Sequence, residues 1–271
     1  MSMERSGVRM YAFTKENIME LRKLWDFPDD LFFPRLCPVC RLPVEAGGTY
    51  ICPGCREQLT QIKPPYCLRC GKQLTAEKSY CTDCLRRYAR LSPMHPGERA
   101  QGDFERNVAV FDYRSVCDML MRLKYKNDRT LAAFFADEAA KKYGWMIQKR
   151  MQAECIVPVP IHFERRLKRG YNQTELIGRE LSARLNIPMR TDLLCRRQKT
   201  IAQKKLNPTE RLANLREVFC PGKAKGGIPD RLLLLDDVYT TGSTALACSR
   251  VLKEMGVGQV YVLTMAIGNG S

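Results

Sequence analysis

The stretch Asp230-Arg-Leu-Leu-Leu-Leu-Asp-Asp-Val-Tyr-Thr-Thr-Gly-Ser-Thr-Ala-Leu246 decides the fold. Leu232 to Leu235 form a short, wholly apolar run, which predicts a parallel strand buried on both faces. Two carboxylates, Asp236 and Asp237, follow at once, and then the small-residue turn Thr240, Thr241, Gly242, Ser243 and Thr244 before a helical run to Met255. A strand feeding a short polar turn that opens a helix makes a phosphate cradle. The free N–H groups of the first helical turn point at the anion and the helix dipole favours negative charge there. Gly242 lets backbone approach closely, and the hydroxyls add donors. The paired acids repel phosphate. They suit the vicinal hydroxyls of a ribose, or Mg²⁺ held largely through water.

This stretch resembles the signature of type I phosphoribosyltransferases for phosphoribosyl diphosphate (PRPP), in which acids hold the ribose hydroxyls and the T-T-G-S-T loop holds the 5-phosphate. It is not a Walker A loop, since no Lys-Ser/Thr follows the glycine at the required place.

Working outward, a second strand, Glu154 to Pro160, leads into Ile161-His-Phe-Glu-Arg-Arg-Leu-Lys-Arg-Gly-Tyr-Asn-Gln-Thr174. Five basic groups and a Gly-Tyr-Asn-Gln turn between a buried strand and a helix start predict a second anion site at the carboxyl edge of the sheet. Arg165, Arg166 and Arg169 match diphosphate oxygens two at a time, with Gly170, Asn172 and Gln173 completing the loop. Asn172 and Thr174 are equally readable as helix caps, and His162 as a positioned polar side chain. Around these segments the pattern predicts strands over 107–113, 154–159, 231–236 and 259–266, with helices over 115–126, 130–143, 172–185 and 243–255. That alternation predicts a doubly wound α/β parallel sheet. Residues 195 to 219 are basic and then amphipathic, a mobile loop able to close over a ligand, with Lys199, Gln203 and Arg211 as candidate contacts on closure.

Thirteen cysteines among 271 residues suggest disulfides until their spacing is read. Eight fall in four C-x-x-C pairs: Cys37 and Cys40, Cys52 and Cys55, Cys67 and Cys70, Cys81 and Cys84. Eleven residues separate Cys40 from Cys52, and ten separate Cys70 from Cys81, gaps that fit hairpins joining zinc knuckles. The expected pairing is Cys37, Cys40, Cys52 and Cys55 on one structural Zn²⁺ and the other four on a second, with an interleaved pairing open. The remaining five (Cys117, Cys155, Cys195, Cys220, Cys248) read as small core residues. Domain boundaries follow: an extension over 1–36 with an amphipathic helix from Thr14 to Trp25, a double zinc ribbon over 37–90, and the α/β domain over 91–271.

Formal net charge is +16, falling to about +12 with two zinc sites loaded. Basic clusters at 86–90, 122–126, 164–169 and 196–205 lie near Tyr66, Tyr80, Tyr88, Tyr125 and Tyr171, a mixture suited to single-stranded nucleic acid. No apolar run approaches the roughly 20 residues of a membrane span, and the N-terminus lacks a signal-peptide core. A cytoplasmic protein is expected.

The cysteine knuckles, K-R-G-Y-N-Q after V-P-V-P, the spacing of Gln203, Leu206, Arg211 and Asn214, and D-D-V-Y-T-T-G-S-T together resemble the ComF family. The resemblance spans most of residues 37 to 266. It implies a type I phosphoribosyltransferase fold, PRPP with Mg²⁺, and a role in handling single-stranded DNA during natural competence, alongside competence-machinery proteins. In that reading Asp236, Asp237 and Arg169 carry the chemistry. Two alternatives remain open: a non-catalytic nucleic-acid-binding or adaptor protein on the same fold, and a transferase of nucleotide metabolism unrelated to competence.

Overall fold

The computed structural model describes residues 36–44, 50–91 (backbone alone from 87), 103–197 and 218–268. The amphipathic helix expected over 14–25 and the residues Lys199, Gln203 and Arg211 lie outside the described residues.

Two short helices, α1 (Pro53–Gln58) and α2 (Thr82–Leu91), belong to the cysteine-rich segment. The α/β part begins with β1 (Asn107–Asp112), α3 (Tyr113–Tyr125) and α4 (Thr130–Trp145), which runs into a π-helical turn over Met146–Met151. Then come β2 (Cys155–Pro158), α5 (Phe163–Arg169), α6 (Gln173–Leu185) and an antiparallel pair, β3 (Leu194–Arg196) with β4 (Phe219–Pro221). Finally β5 (Arg231–Tyr239), α7 (Ser243–Glu254) and β6 (Gln259–Ile267) close the fold. The main sheet is all parallel in the order β1-β6-β5-β2, so β5 lies between two neighbours.

The Leu232–Leu235 run is fully buried because both faces of β5 are covered. With a side-chain period of two, Leu233 and Leu235 join Leu263 and Met265 in the core beneath α3, α4 and α6, while Leu232 and Leu234 join Val260 and Val262 beneath α7. On the first side Phe111, Phe134 and Phe135 interlock with ring centroids 5.3 to 6.3 Å apart. Burying each ring contributes on the order of 2–3 kcal/mol. Helices on both faces are what the doubly wound pattern predicted.

The cysteine-rich segment is fused to the edge of this sheet. Residues 60–62 pair with β1: the Ile62 N–H donates to Val110 O at 3.0 Å and the Asp112 N–H to Thr60 O at 2.8 Å. This covers an otherwise open edge. The first cysteine group joins the core on one face and the second joins the core on the other. Glu138, 3 % exposed, accepts from Arg56 and Gln61 at 2.9 Å each. Arg69 forms a buried ion pair with Asp103 and stacks on Phe104. A buried carboxylate is retained only when paired in this way.

Four local readings need revision. The region expected as a loop after β2 is helical from Phe163 to Arg169, because His162 caps it and Gly170, at φ 77°, ends it. Strand β5 continues through both acids to Tyr239, held by ladder partners on β6 up to Ile267. Cys195 and Cys220 are not core residues: they face each other in register on β3 and β4 and form a disulfide. Tyr171 is buried, its hydroxyl donating to Leu123 O, which removes it from any stacking surface.

Candidate functional site

In the cysteine-rich segment the four knuckles converge two by two. Cys37, Cys40, Cys52 and Cys55 form one cluster and Cys67, Cys70, Cys81 and Cys84 the other, each with its sulfurs within 4.8 Å of one another. The Cys40–Cys52 and Cys70–Cys81 sulfurs are 3.8 and 3.6 Å apart. A tetrahedral centre with Zn–S bonds of about 2.3 Å has edges of about 3.8 Å, so both tetrads fit Zn²⁺. The Cys81 N–H donates to Cys67 Sγ at 3.3 Å and the Cys84 N–H to Cys81 Sγ at 3.4 Å, which orients the second set. Each tetrad fills all four positions with protein sulfur, the closed arrangement of a structural metal.

At the carboxyl end of β5 the acids alternate across the strand. Asp237 is buried and Asp236 half-buried. Burial pushes the Asp236 carboxyl up to about 7, with the neighbouring Asp237 carboxylate adding to the effect. The Asp237 N–H, donating to Asp236 Oδ1 at 2.9 Å, works in the opposite direction, as do Lys124 and Arg196. Asp237 Oδ2 takes the Lys124 ammonium at 2.8 Å and the Gln173 amide at 2.7 Å. Beyond the strand, Thr240 and Thr241 are exposed, the Thr241 and Ser243 hydroxyls are 2.8 Å apart, and Gly242 sits at φ 73° as the cap of α7. The left-handed turn needs glycine twice over, because a Cβ there would also collide with the Tyr239 ring and hydroxyl beneath it.

After β2, the strand that pairs with β5, the short helix α5 carries exposed Arg165, Arg166 and Lys168. Arg166 is paired with Glu175 at 2.7 Å, whereas Arg165 has no ion-pair or hydrogen-bond partner among the described residues. Arg169 stacks on Tyr125, 4.7 Å from the ring centroid, and donates to Gln173 Oε1 at 3.0 Å. Asn172 is fully buried and spent on structure: it caps α6 through Thr174 N and donates to Val159 O. Gln173 bridges the second segment to the acids of the first. Two cations absent from the sequence reading of the acid site, Lys124 and Arg196, come from α3 and β3. Their spacing of 40 residues or more from the acids left no local signal.

The double zinc ribbon domain model matches residues 29–85. Competence protein F of Haemophilus influenzae is 31 % identical, covering 87 % of this chain and 98 % of that protein. The chain belongs to the ComF family. Other relatives include the DNA utilization protein YhgH of Escherichia coli K12, 27 % identical over 86 % of this chain and 96 % of its own length. Competence protein ComFC of Bacillus subtilis is 28 % identical over 76 % of this chain and 79 % of its own. For this ComF-family protein the mixed α/β fold with its parallel sheet is consistent with a phosphoribosyltransferase type, and the two tetrads are those of the double zinc ribbon. Among the described residues no helix is long and apolar enough to cross a membrane.

Proposed function

We propose that this ComF-family protein binds phosphoribosyl diphosphate, or a closely related sugar phosphate, at the carboxyl edge of its sheet and serves in the handling of single-stranded DNA during uptake. The observation that carries the binding reading is the bridge from Asp237 through Gln173 to Arg169, which joins a hydroxyl-accepting end to a diphosphate-accepting end. The 5-phosphate would rest on Thr240 to Thr244, where the N–H groups of α7 emerge. The ribose hydroxyls would donate to Asp236 and Asp237. The diphosphate would lie against Arg165 and Arg169 near Gly170. Asp237 Oδ2 is already occupied by Lys124 and Gln173, and the pair does not form a cage for a bare cation, so Mg²⁺ fits as a group carried by the diphosphate, where it would neutralise charge.

In a transfer reaction the anomeric C–O bond breaks, pyrophosphate leaves with the electron pair and a nucleophile bonds to the carbon. The protein contributes positioning and electrostatic stabilisation of the leaving group. Calorimetric titration with PRPP–Mg²⁺ tests the site. Asp236→Asn together with Asp237→Asn should lose most of the affinity with zinc content unchanged, and unaltered affinity would sink the assignment.

The DNA role draws on relatives named for competence and DNA utilization and on the surface beside the site. Exposed Phe163, Leu167 and Tyr125 stand among Arg165, Arg166, Lys168 and Arg169, a mixture that suits phosphates and stacked bases together. Binding of an oligonucleotide should fall steeply with salt, and an Arg166→Ala, Lys168→Ala variant should bind more weakly with a shallower slope. An adaptor without turnover is the second reading, favoured by an Asp237 that is already paired with Lys124. Pyrophosphate release from PRPP with candidate acceptors separates the two.

A further inference from the structure

Lys124 is the last cation of α3, well removed in sequence from both halves of the proposed site, yet its ammonium is 2.8 Å from Asp237 Oδ2 and 81 % of its side chain is buried. The same oxygen takes Gln173 Nε2 at 2.7 Å, and Gln173 Oε1 takes Arg169 Nη1 at 3.0 Å. The adjacent Tyr125 ring is the platform on which Arg169 stacks. Lys124 therefore sits one glutamine side chain away from the arginine that ends α5. An ammonium carries three donors, and only the Asp237 contact uses one among the described residues. On the Asp237 side, Oδ2 is taken, while no hydrogen bond reaches Oδ1 among the described residues. A ribose hydroxyl can thus reach Asp237 without displacing Lys124.

The geometry points to Lys124 as a ligand-contacting residue that pairs with Asp237 through one N–H and offers the remaining N–H groups to the diphosphate of the ligand. The inference rests on the sugar-diphosphate reading of the site. It assigns to α3 a direct part in discriminating a ribose carrying an anomeric diphosphate from one that lacks it. A residue serving only as counter-ion to Asp237 would support both ligands equally.

The test is calorimetry on the full zinc-loaded chain with PRPP–Mg²⁺, with ribose 5-phosphate measured by competition against it. For Lys124→Gln, PRPP–Mg²⁺ affinity should drop roughly 10- to 100-fold, the size expected for lost hydrogen bonds to a charged group, while ribose 5-phosphate changes by less than about threefold. Lys124→Arg, which keeps the charge, should recover most of the loss and guards against a fold defect in the first variant. An equal loss for both ligands, no loss for PRPP–Mg²⁺, or an arginine variant as weak as the glutamine one overturns the inference while the site reading stands. Wild-type protein that fails to bind PRPP–Mg²⁺ overturns both.

Discussion

Replacing Asp236 by Asn should stabilise the protein, and by an amount that depends on pH. Burial beside Asp237 raises the Asp236 carboxyl from 3.8 to about 7. The folded state therefore holds a proton that the unfolded chain has released. Below about pH 4 both states are protonated and the residue costs nothing; as pH rises towards 7 the cost grows, and above 7 it is constant. Three units at 1.36 kcal/mol each set a ceiling of ~4 kcal/mol. Asp236 is half-buried, so screening keeps the gain for Asn below that ceiling; with the carboxyl at about 7, the last ~1 kcal/mol of it accrues between pH 6 and 8. Each kcal/mol corresponds to a rise in Tm of roughly 2–4 °C for a chain of this size. Asn keeps the side-chain oxygen that accepts the Asp237 N–H, so the local turn is preserved. Urea melts of both proteins at pH 6, 7 and 8, with zinc retained, give the difference directly. The gain should increase by up to about 1 kcal/mol across this range while PRPP–Mg²⁺ affinity collapses. A variant less stable than wild type at pH 8, or a difference flat with pH, would falsify the view that the acid pair is held against its own electrostatics for the sake of a ligand.

Metal analysis of the purified chain should find about two Zn²⁺, and chelation should release the contacts between residues 60–62 and β1, seen as new amide exchange at Ile62 and Asp112. Denatured, zinc-free protein kept from reductant should titrate as eleven thiols, with Cys195 and Cys220 silent; thirteen would remove the disulfide. Gly242→Ala meets both an unfavourable φ of 73° and the Tyr239 ring. It should cost on the order of 1–3 kcal/mol in stability and weaken phosphate binding, measured by thermal melts with and without PRPP–Mg²⁺. Glu138→Ala strands Arg56 and Gln61 at the junction of ribbon and helix, and a loss of about 2–4 kcal/mol is expected by urea melt.

Much of this protein is written locally. The Leu232–Leu235 run, the acids after it and the Thr-Thr-Gly-Ser-Thr turn lie within thirteen residues, and a parallel strand buried on both faces must be apolar throughout, so the sequence determined the central strand and the loop beyond it. The same holds for the cysteine pairs, because a knuckle is a property of four consecutive residues and its hairpin gap is short. Only the tertiary structure decided what meets the acids. Lys124 and Gln173 reach Asp237 from 113 and 64 residues away, a distance along the chain over which periodicity carries no information and sheet order decides the neighbours. Cys195 and Cys220 looked like core residues from their apolar surroundings, and only the register of β3 on β4 set them opposite each other. Arg169 appeared as one cation in a basic run; its stacking on Tyr125 and its bond to Gln173 exist because α5 ends beside the end of α3. Local sequence fixes which groups can bind an anion or a sugar, and packing of distant helices onto one sheet edge fixes which of them share a site.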